Sequence, residues 1–236
     1  LERLGDAGLD GEARTLKALA QSISRVSKVE ILAALVPTIG EKVIVFTEFL
    51  ATQRYLALAL RREGLPVATF HGGLTAHEKD AVLRDFRQRA QVLISTECGG
   101  QGLNLQFCRN VINYDLPWNP MRVEQRIGRV HRLGQERPVR IYNLCARETI
   151  EEYILRLLDE KIKLFRQVIG DLDLIIRQLE RKRSFESTLL DIALTARDQR
   201  DLRLRFAELG RQIEQVTRAL RSGEPWTWPS RIRLQG

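Results

Sequence analysis

The sequence predicts an α/β fold in which a parallel sheet is flanked by helices, with N-terminal helices before it and a C-terminal helical extension after it. Short apolar runs rich in β-branched residues have the composition of buried parallel strands. Amphipathic segments with helical spacing separate most of these runs, and such alternation favours a parallel sheet with right-handed crossovers. No strand pattern follows Thr149, so the extension is expected to be helical. The predicted strands are residues 43–46, 67–70, 92–95, 111–114 and 139–144.

The first segment is predicted to be helical. Residues 11–36 carry apolar side chains three to four positions apart, and Pro37 is expected to end the run. Ser27 is suited to cap a second helix, with Glu30 completing a capping box. The expected divisions are a helical lead-in at 1–40, the sheet domain at 41–148, a long bracing helix at 149–170 and a helical extension of unknown role at 171–236.

Three helices are predicted between the strands. One covers residues 51–62, and Thr75 is expected to begin the next. Pro120 suits the first turn of the third, where its missing N–H would have no partner in any case. The inner face of the middle helix is expected to comprise Ala81, Val82 and Phe86.

Composition narrows the class of protein. The net charge is +8, with 38 basic residues against 30 acidic ones in a chain of 236 residues, which favours a polyanionic partner. No apolar run reaches the ~18 residues that a membrane span needs. Cys98, Cys108 and Cys145 are widely spaced and indicate neither a disulfide framework nor a zinc site, so a reducing cytoplasm is expected. The sequence lacks an initial Met and contains only Met121, and we expect it to be a piece of a longer protein.

Residues 125–135, QRIGRVHRLGQ, contain the most restrictive pattern in the chain. Arg126, Arg129 and Arg132 lie three positions apart, with Gly128 between the first two and a glutamine at each end. Residues three apart share a helix face, so the guanidinium groups can converge on phosphate oxygens. An arbitrary RxxRxxR is more often a solvated basic face. Here seven of eleven positions belong to the pattern, which favours function.

Polar or glycine-rich segments follow four of the predicted strands. Ligands of parallel α/β sheets bind at the carboxyl ends of the strands, so these segments are expected to share one edge. Backbone N–H groups of a glycine-rich loop can also bind phosphate. The segments are Thr47-Glu48-Phe49, His71-Gly72-Gly73, residues 96–104 and Asp115-Leu116-Pro117-Trp118-Asn119-Pro120.

Together these motifs resemble the C-terminal RecA-like lobe of Swi/Snf-family DNA-dependent ATPases, which belong to the superfamily-2 helicase-like proteins. Residues 125–135 resemble motif VI of that family, and residues 95–106 resemble motif V. Residues 45–49 resemble motif IV, residues 70–74 resemble the segment after it, and residues 115–120 also match. The resemblance covers about residues 27–170.

The resemblance implies a role in ATP hydrolysis within a two-lobed protein. ATP and Mg²⁺ would be bound mainly by an N-terminal RecA-like lobe of the same polypeptide. Arg129 and Arg132 would act as arginine fingers on the γ-phosphate, while Gly102, Gln125 and Arg126 would support ATP binding. The sequence has no GxxxxGK[ST] motif, and Asp159-Glu160 is interpreted as surface charge, so the chain alone is expected to be inactive.

The resemblance also implies translocation on double-stranded DNA without strand separation. A protein bound to DNA is a further expected partner, and no metal site is expected in this chain. The location would be cytoplasmic, at the nucleoid, in a bacterium or archaeon and nuclear in a eukaryote. The residues expected to contact DNA are Thr47, His71, Gly72, Thr96 and Asn119.

Two alternative functions remain open. The chain would instead be the lobe of an RNA helicase, or a non-enzymatic basic scaffold that binds DNA. The Arg-x-Gly-Gln ending at Gln135 and the Trp-Asn-Pro segment around Trp118 argue against the first. Intact motifs argue against the second. Trp118 itself is interpreted as a packing residue rather than a base-stacking one.

Overall fold

The computed structural model describes residues 27–96, 105–130, 137–156 and 184–222. The helix expected over 11–26, most of the bracing helix, Gly102 and Arg132 lie outside the described residues.

A five-stranded parallel sheet forms the centre of the molecule, in the order β2-β3-β1-β4-β5. Its strands are β1 (Val43–Thr47), β2 (Val67–Phe70), β3 (Val92–Thr96), β4 (Asn110–Asn113) and β5 (Arg140–Asn143). The central strand β1 pairs in parallel with β3 and β4, so that Phe46 lies between Ser95 and Asn113. The predicted fold class is therefore confirmed.

Helices cover the sheet and continue beyond it. The first four are α1 (Ser27–Ile39), α2 (Leu50–Arg62), α3 (Ala76–Gln88) and α4 (Pro120–Ile127). Residues 150–156 form α5, and the extension contains α6 (Phe185–Thr195) and α7 (Gln199–Ser222). Within the described part of the chain, no helix has both the length and the apolar character needed to span a membrane.

The alternation of side chains along β1 creates a separate core on each face of the sheet. Val43 and Val45 face α1 and α2, whereas Ile44 and Phe46 face α3. Successive residues of a strand point to opposite faces, so a strand covered on both faces is apolar throughout. All five residues of β1 are buried accordingly.

A third core joins the extension to α4. Val123 of α4 packs with Tyr153 and Ile154 of α5 and with apolar residues of α6 and α7. The Tyr153 ring stacks on Phe206 of α7 with a centroid distance of 4.9 Å and an angle of 14°. The extension thus packs directly on α4, the helix that precedes Arg129.

Two local predictions differ from the structure, and the division at residue 40 stays a prediction. Pro37 was expected to end the first helix, but it lies within the last turn of α1, which continues to Ile39. Ala81 is exposed, and the buried residue of α3 is Phe86. Helix α1, placed in the lead-in before residue 41, contributes Leu32 and Val36 to the core of the lobe.

Glu41 forms an ion-pair cluster at the amino edge of the sheet. Its two carboxylate oxygens accept bonds from Arg109 at 2.7 and 2.6 Å, and Arg137 contributes a third bond at 3.0 Å. The hydrogen bonds from Arg109 lower the pKa of Glu41 from its ordinary value of 4.5 to about 2.

Stability is expected to depend on this carboxylate at acidic pH. Because the folded-state pKa is depressed, the stabilisation is fully present above the ordinary pKa of 4.5 and is lost as the pH falls through about 2. We expect the free energy of unfolding to fall more steeply over this range in the wild-type chain than in Glu41→Gln. Urea denaturation at successive pH values measures both slopes, and equal slopes would contradict the prediction.

Candidate active site at the carboxyl edge of the sheet

The carboxyl edge brings together residues from all four predicted polar segments. Thr47 ends β1 and Thr96 ends β3, and both side chains are buried. His71 follows β2 and is half-buried, with its carbonyl accepting a bond from the Leu74 N–H at 3.3 Å. Gly72 is exposed in the same loop. The shared edge is thus as expected, while the DNA contacts remain predictions.

Asp115 connects the ends of two neighbouring strands. It follows β4, and its carboxylate accepts a hydrogen bond from Thr47 Oγ1 at 2.5 Å and from the Glu48 N–H at 3.0 Å. Thr47 therefore directs its hydroxyl to a partner inside the protein. Motif spacing did not single out Asp115, although a carboxylate at the end of a buried strand was an available signal.

Arg126 completes this network from α4. Its side chain is 3 % exposed, and Nη1 donates to Asn113 Oδ1 at 3.1 Å and to the Asp115 carbonyl at 2.8 Å. Nη2 lies 3.5 Å from the Asp115 carboxylate. The guanidinium carbon also lies 5.5 Å from the centre of the Phe46 ring. In this structure Arg126 binds protein groups, and its predicted support of ATP would act through them.

The arginine stretch is helical only in its first part. Asn119 caps α4 by accepting the Met121 N–H at 2.9 Å, and the helix ends at Ile127. Arg129 then lies in a turn, with its N–H bonded to the Arg126 carbonyl at 3.2 Å. Helix α4 therefore carries Arg126 but not Arg129, and the convergence of the three arginines on phosphate remains a prediction.

The turn that carries Arg129 is fixed on two sides. Val130, which is fully buried, packs in the core on one face of the sheet. The Leu105 N–H donates to the Arg129 carbonyl at 3.2 Å, and Leu105 is also fully buried. A residue of the segment that resembles motif V is thus bonded to the turn that carries Arg129. Arg129 itself is half-buried, and Gln125 is exposed on α4.

An open cleft of about 630 Å³ adjoins this network. Trp118 lines the cleft and also packs against the core formed with the extension, as the packing interpretation predicts. Among the described residues, no group of three His, Cys, Asp or Glu side chains is placed to hold a metal ion. The lining comprises Glu48, Phe49, Asp115, Leu116, Trp118, Asn119, Arg122, Glu151 and Glu186.

Cys108 has no geometry suited to catalysis. Its side chain is buried, and Sγ lies 3.1 Å from the Lys42 carbonyl. Burial raises the pKa of the Cys108 thiol to about 11. A thiol that stays protonated at neutral pH is a structural group.

Comparison with known proteins finds a matching domain family and several relatives of this chain. Residues 27–134 match the helicase conserved C-terminal domain family. The chain is 47 % identical over 198 residues to the ATP-dependent helicase YqhH of Bacillus subtilis, covering 83 % of this chain and 35 % of that protein. It is 39 % identical over 130 residues to the RNA polymerase-associated protein RapA of Vibrio parahaemolyticus, covering 53 % of this chain and 13 % of RapA. The chain thus spans about a third of YqhH and a smaller share of RapA.

Solved structures agree with the fold. The C-terminal part of the Fun30 ATPase domain superposes with a TM-score of 0.50 at 27 % identity, covering 56 % of this chain and 43 % of that one. A DEAD box protein from Methanococcus jannaschii gives 0.51 at 29 % identity, covering 58 % and 37 %. The predicted resemblance is confirmed: residues 27–134 carry a helicase conserved C-terminal domain with a RecA-like fold, and the relatives of the chain include an ATP-dependent helicase, the Swi/Snf-type protein RapA and the C-terminal part of the Fun30 ATPase domain.

Proposed function

We propose that this chain is the C-terminal motor lobe of an ATP-dependent translocase that acts on double-stranded DNA. The observation that carries the proposal is the position of Arg129. It follows the end of α4 at the carboxyl edge, in a turn held by the buried Val130 and by the bond from Leu105. With its backbone held there, Arg129 would direct its guanidinium at a phosphate presented by a second lobe and stabilise the charge on it.

Gly128 supports a close approach by that phosphate or by the second lobe. Its φ of −60° is open to any residue. A Cβ built there would meet its nearest atom, the Glu124 carbonyl oxygen, at 3.4 Å, which is an ordinary contact. Neither the backbone nor the packing of the described residues requires a glycine at position 128, and a partner that comes close to this turn would meet no side chain there.

ATP and Mg²⁺ would be held mainly by an N-terminal lobe. This chain would contribute Arg129 and Arg132 to the γ-phosphate, with Gln125 and Gly102 beside the nucleotide. Arg126 would act indirectly, by holding the turn that carries Arg129. This division of roles between the two lobes is consistent with a sequence that offers cationic side chains but no phosphate-binding loop.

Double-stranded DNA is the proposed nucleic acid. The net charge of +8 favours contact with a phosphate backbone. His71, Gly72 and Asn119 would lie nearest to it, while the buried hydroxyls of Thr47 and Thr96 would support the backbone of their loops. Because RapA is named for its association with RNA polymerase, a DNA-bound protein complex of that kind is the proposed target. The proposed location is the cytoplasm, at the nucleoid, if the source is bacterial or archaeal, and the nucleus if it is eukaryotic.

The similarity to a DEAD box protein keeps an RNA helicase lobe as the second candidate, because the fold alone does not distinguish the two nucleic acids. ATP hydrolysis by the full-length protein, measured with duplex DNA, duplex RNA or no nucleic acid, separates them. We expect stimulation by duplex DNA that exceeds stimulation by RNA, with no hydrolysis by this chain alone. Preferential stimulation by RNA would favour the second candidate, and a lack of hydrolysis by the full-length protein would favour a non-enzymatic scaffold.

A further inference from the structure

We propose that Asp115 is a positioning residue that holds the Arg129 turn in register with the end of β1. The inference rests on the proposed function, since it assigns Arg129 to the hydrolysis of ATP. Asp115 would touch neither ATP nor DNA. It would act through Arg126 on one side and through Thr47 and Glu48 on the other.

The contacts of Asp115 span the two segments that the mechanism must coordinate. Its carboxylate receives the Thr47 hydroxyl and the Glu48 N–H at the end of β1, beside the proposed path of DNA. The same residue receives Nη1 of Arg126 on its carbonyl at 2.8 Å and lies 3.5 Å from Nη2 through its carboxylate. One acidic residue therefore joins motif IV to motif VI.

Arg126 transmits this position to Arg129 over a short and rigid path. The Arg126 carbonyl accepts the Arg129 N–H at 3.2 Å, so the two residues share one turn. The Arg126 side chain is also held by Asn113 Oδ1 at 3.1 Å, and Asn113 in turn donates to Asn143 at 2.8 Å. A guanidinium with 3 % exposure and these fixed acceptors leaves the turn little freedom to shift.

Removing the charge of Asp115 would also weaken an ion pair that has only a structural role. The chain contains a second ion pair that controls for this effect. Glu41 binds Arg109 through two hydrogen bonds at the opposite, amino edge of the sheet. Its contacts are to Arg109, Arg137 and Asn110, and none of these is a residue of the turn that carries Arg129. Both Asp115→Asn and Glu41→Gln remove a charge from an ion pair while keeping the shape of the side chain.

The first measurement is steady-state ATP hydrolysis by the full-length protein with saturating duplex DNA. We expect Asp115→Asn to lower kcat by about 10- to 100-fold, because small displacements of a catalytic group have effects of this size. The KM for ATP should change much less, since ATP is bound mainly elsewhere. Glu41→Gln should keep kcat close to the wild-type value.

The second measurement does not depend on activity. Amide hydrogen exchange in this chain reports the Leu105 N–H, which is bonded to the Arg129 carbonyl. We expect Asp115→Asn to accelerate exchange at Leu105 relative to Ile94 in the core of β3, whereas Glu41→Gln should change both equally or neither. Arg126→Lys keeps the charge beside Asp115 but lacks the planar fork of donors. If Asp115→Asn folds poorly, Arg126→Lys provides the same test, with the same faster exchange expected at Leu105 relative to Ile94.

The outcomes separate the two proposals. A wild-type protein without nucleic-acid-stimulated hydrolysis would overturn the proposed function and, with it, the catalytic part of this inference. An active wild type with equal kcat in Asp115→Asn and Glu41→Gln would overturn the positioning role alone. That role would also be overturned if exchange at Leu105 and Ile94 rose in parallel in Asp115→Asn and in Arg126→Lys.

Discussion

Replacing Arg129 with alanine is expected to lower the kcat of ATP hydrolysis by about 10³-fold or more in the full-length protein, within the range typical of arginine fingers. Arg129 lies in the turn beyond α4, and its guanidinium would neutralise charge that develops on the γ-phosphate. ATP affinity should change little, because ATP would be bound mainly by the N-terminal lobe. Steady-state hydrolysis and equilibrium binding of a fluorescent ATP analogue measure the two effects.

Arg89→Ala provides a matched control for Arg129→Ala. Arg89 lies at the end of α3, its side chain is 80 % exposed and it pairs with Asp85 in the preceding turn. Its removal should leave kcat unchanged. Arg129→Lys should recover only part of the lost rate, since an ammonium group retains the charge but not the bidentate geometry. Equal rates for the Arg89 and Arg129 variants would rule out the arginine finger. Arg132→Ala is expected to behave like Arg129→Ala.

Replacing Phe206 with alanine is expected to destabilise the extension strongly. The ring is buried, stacks on Tyr153 and fills the core that joins α7 to α4 and α5. Truncation of a buried phenylalanine costs about 3–5 kcal/mol through lost transfer free energy and the cavity left behind. Urea denaturation of this chain, followed by circular dichroism, measures the change.

Leu204→Ala serves as the control on the same helix. Leu204 is 61 % exposed, so its truncation should cost less than about 0.5 kcal/mol. If the two variants unfold at the same urea concentration, the extension does not share a core with the lobe. If Phe206→Ala gives a separate early transition, the extension unfolds before the lobe does.

Local pattern was sufficient to predict the strands and most of the helices. The runs at 43–46 and 67–70 correspond to β1 and β2, because parallel strands covered by helices are rich in apolar and β-branched residues. Thr75 was also predictable: it caps α3 with a full capping box, receiving the Glu78 N–H on its hydroxyl. Each of these signals depends on residues that are close in sequence.

The details of the site depend on contacts distant in sequence, and local pattern did not predict them. Arg126 has the spacing of an exposed ligand-binding residue, but its partner Asn113 belongs to a strand 13 positions earlier. Thr47 is bonded to a carboxylate 68 positions later. The end of α4 before Arg129 likewise depends on Val130 entering the core beneath the sheet. Motif spacing therefore located the site but not the direction of its side chains.

The ion pair between Lys28 and Glu151 has a consequence for how such a lobe can be built into larger proteins. Lys28 Nζ lies 2.9 and 2.6 Å from the two carboxylate oxygens of a residue 123 positions away, and also 3.3 Å from the Tyr114 carbonyl. The polypeptide therefore enters the sheet domain and leaves it at neighbouring points. A unit whose two ends lie side by side can be inserted into a host protein without separating the host segments that flank it.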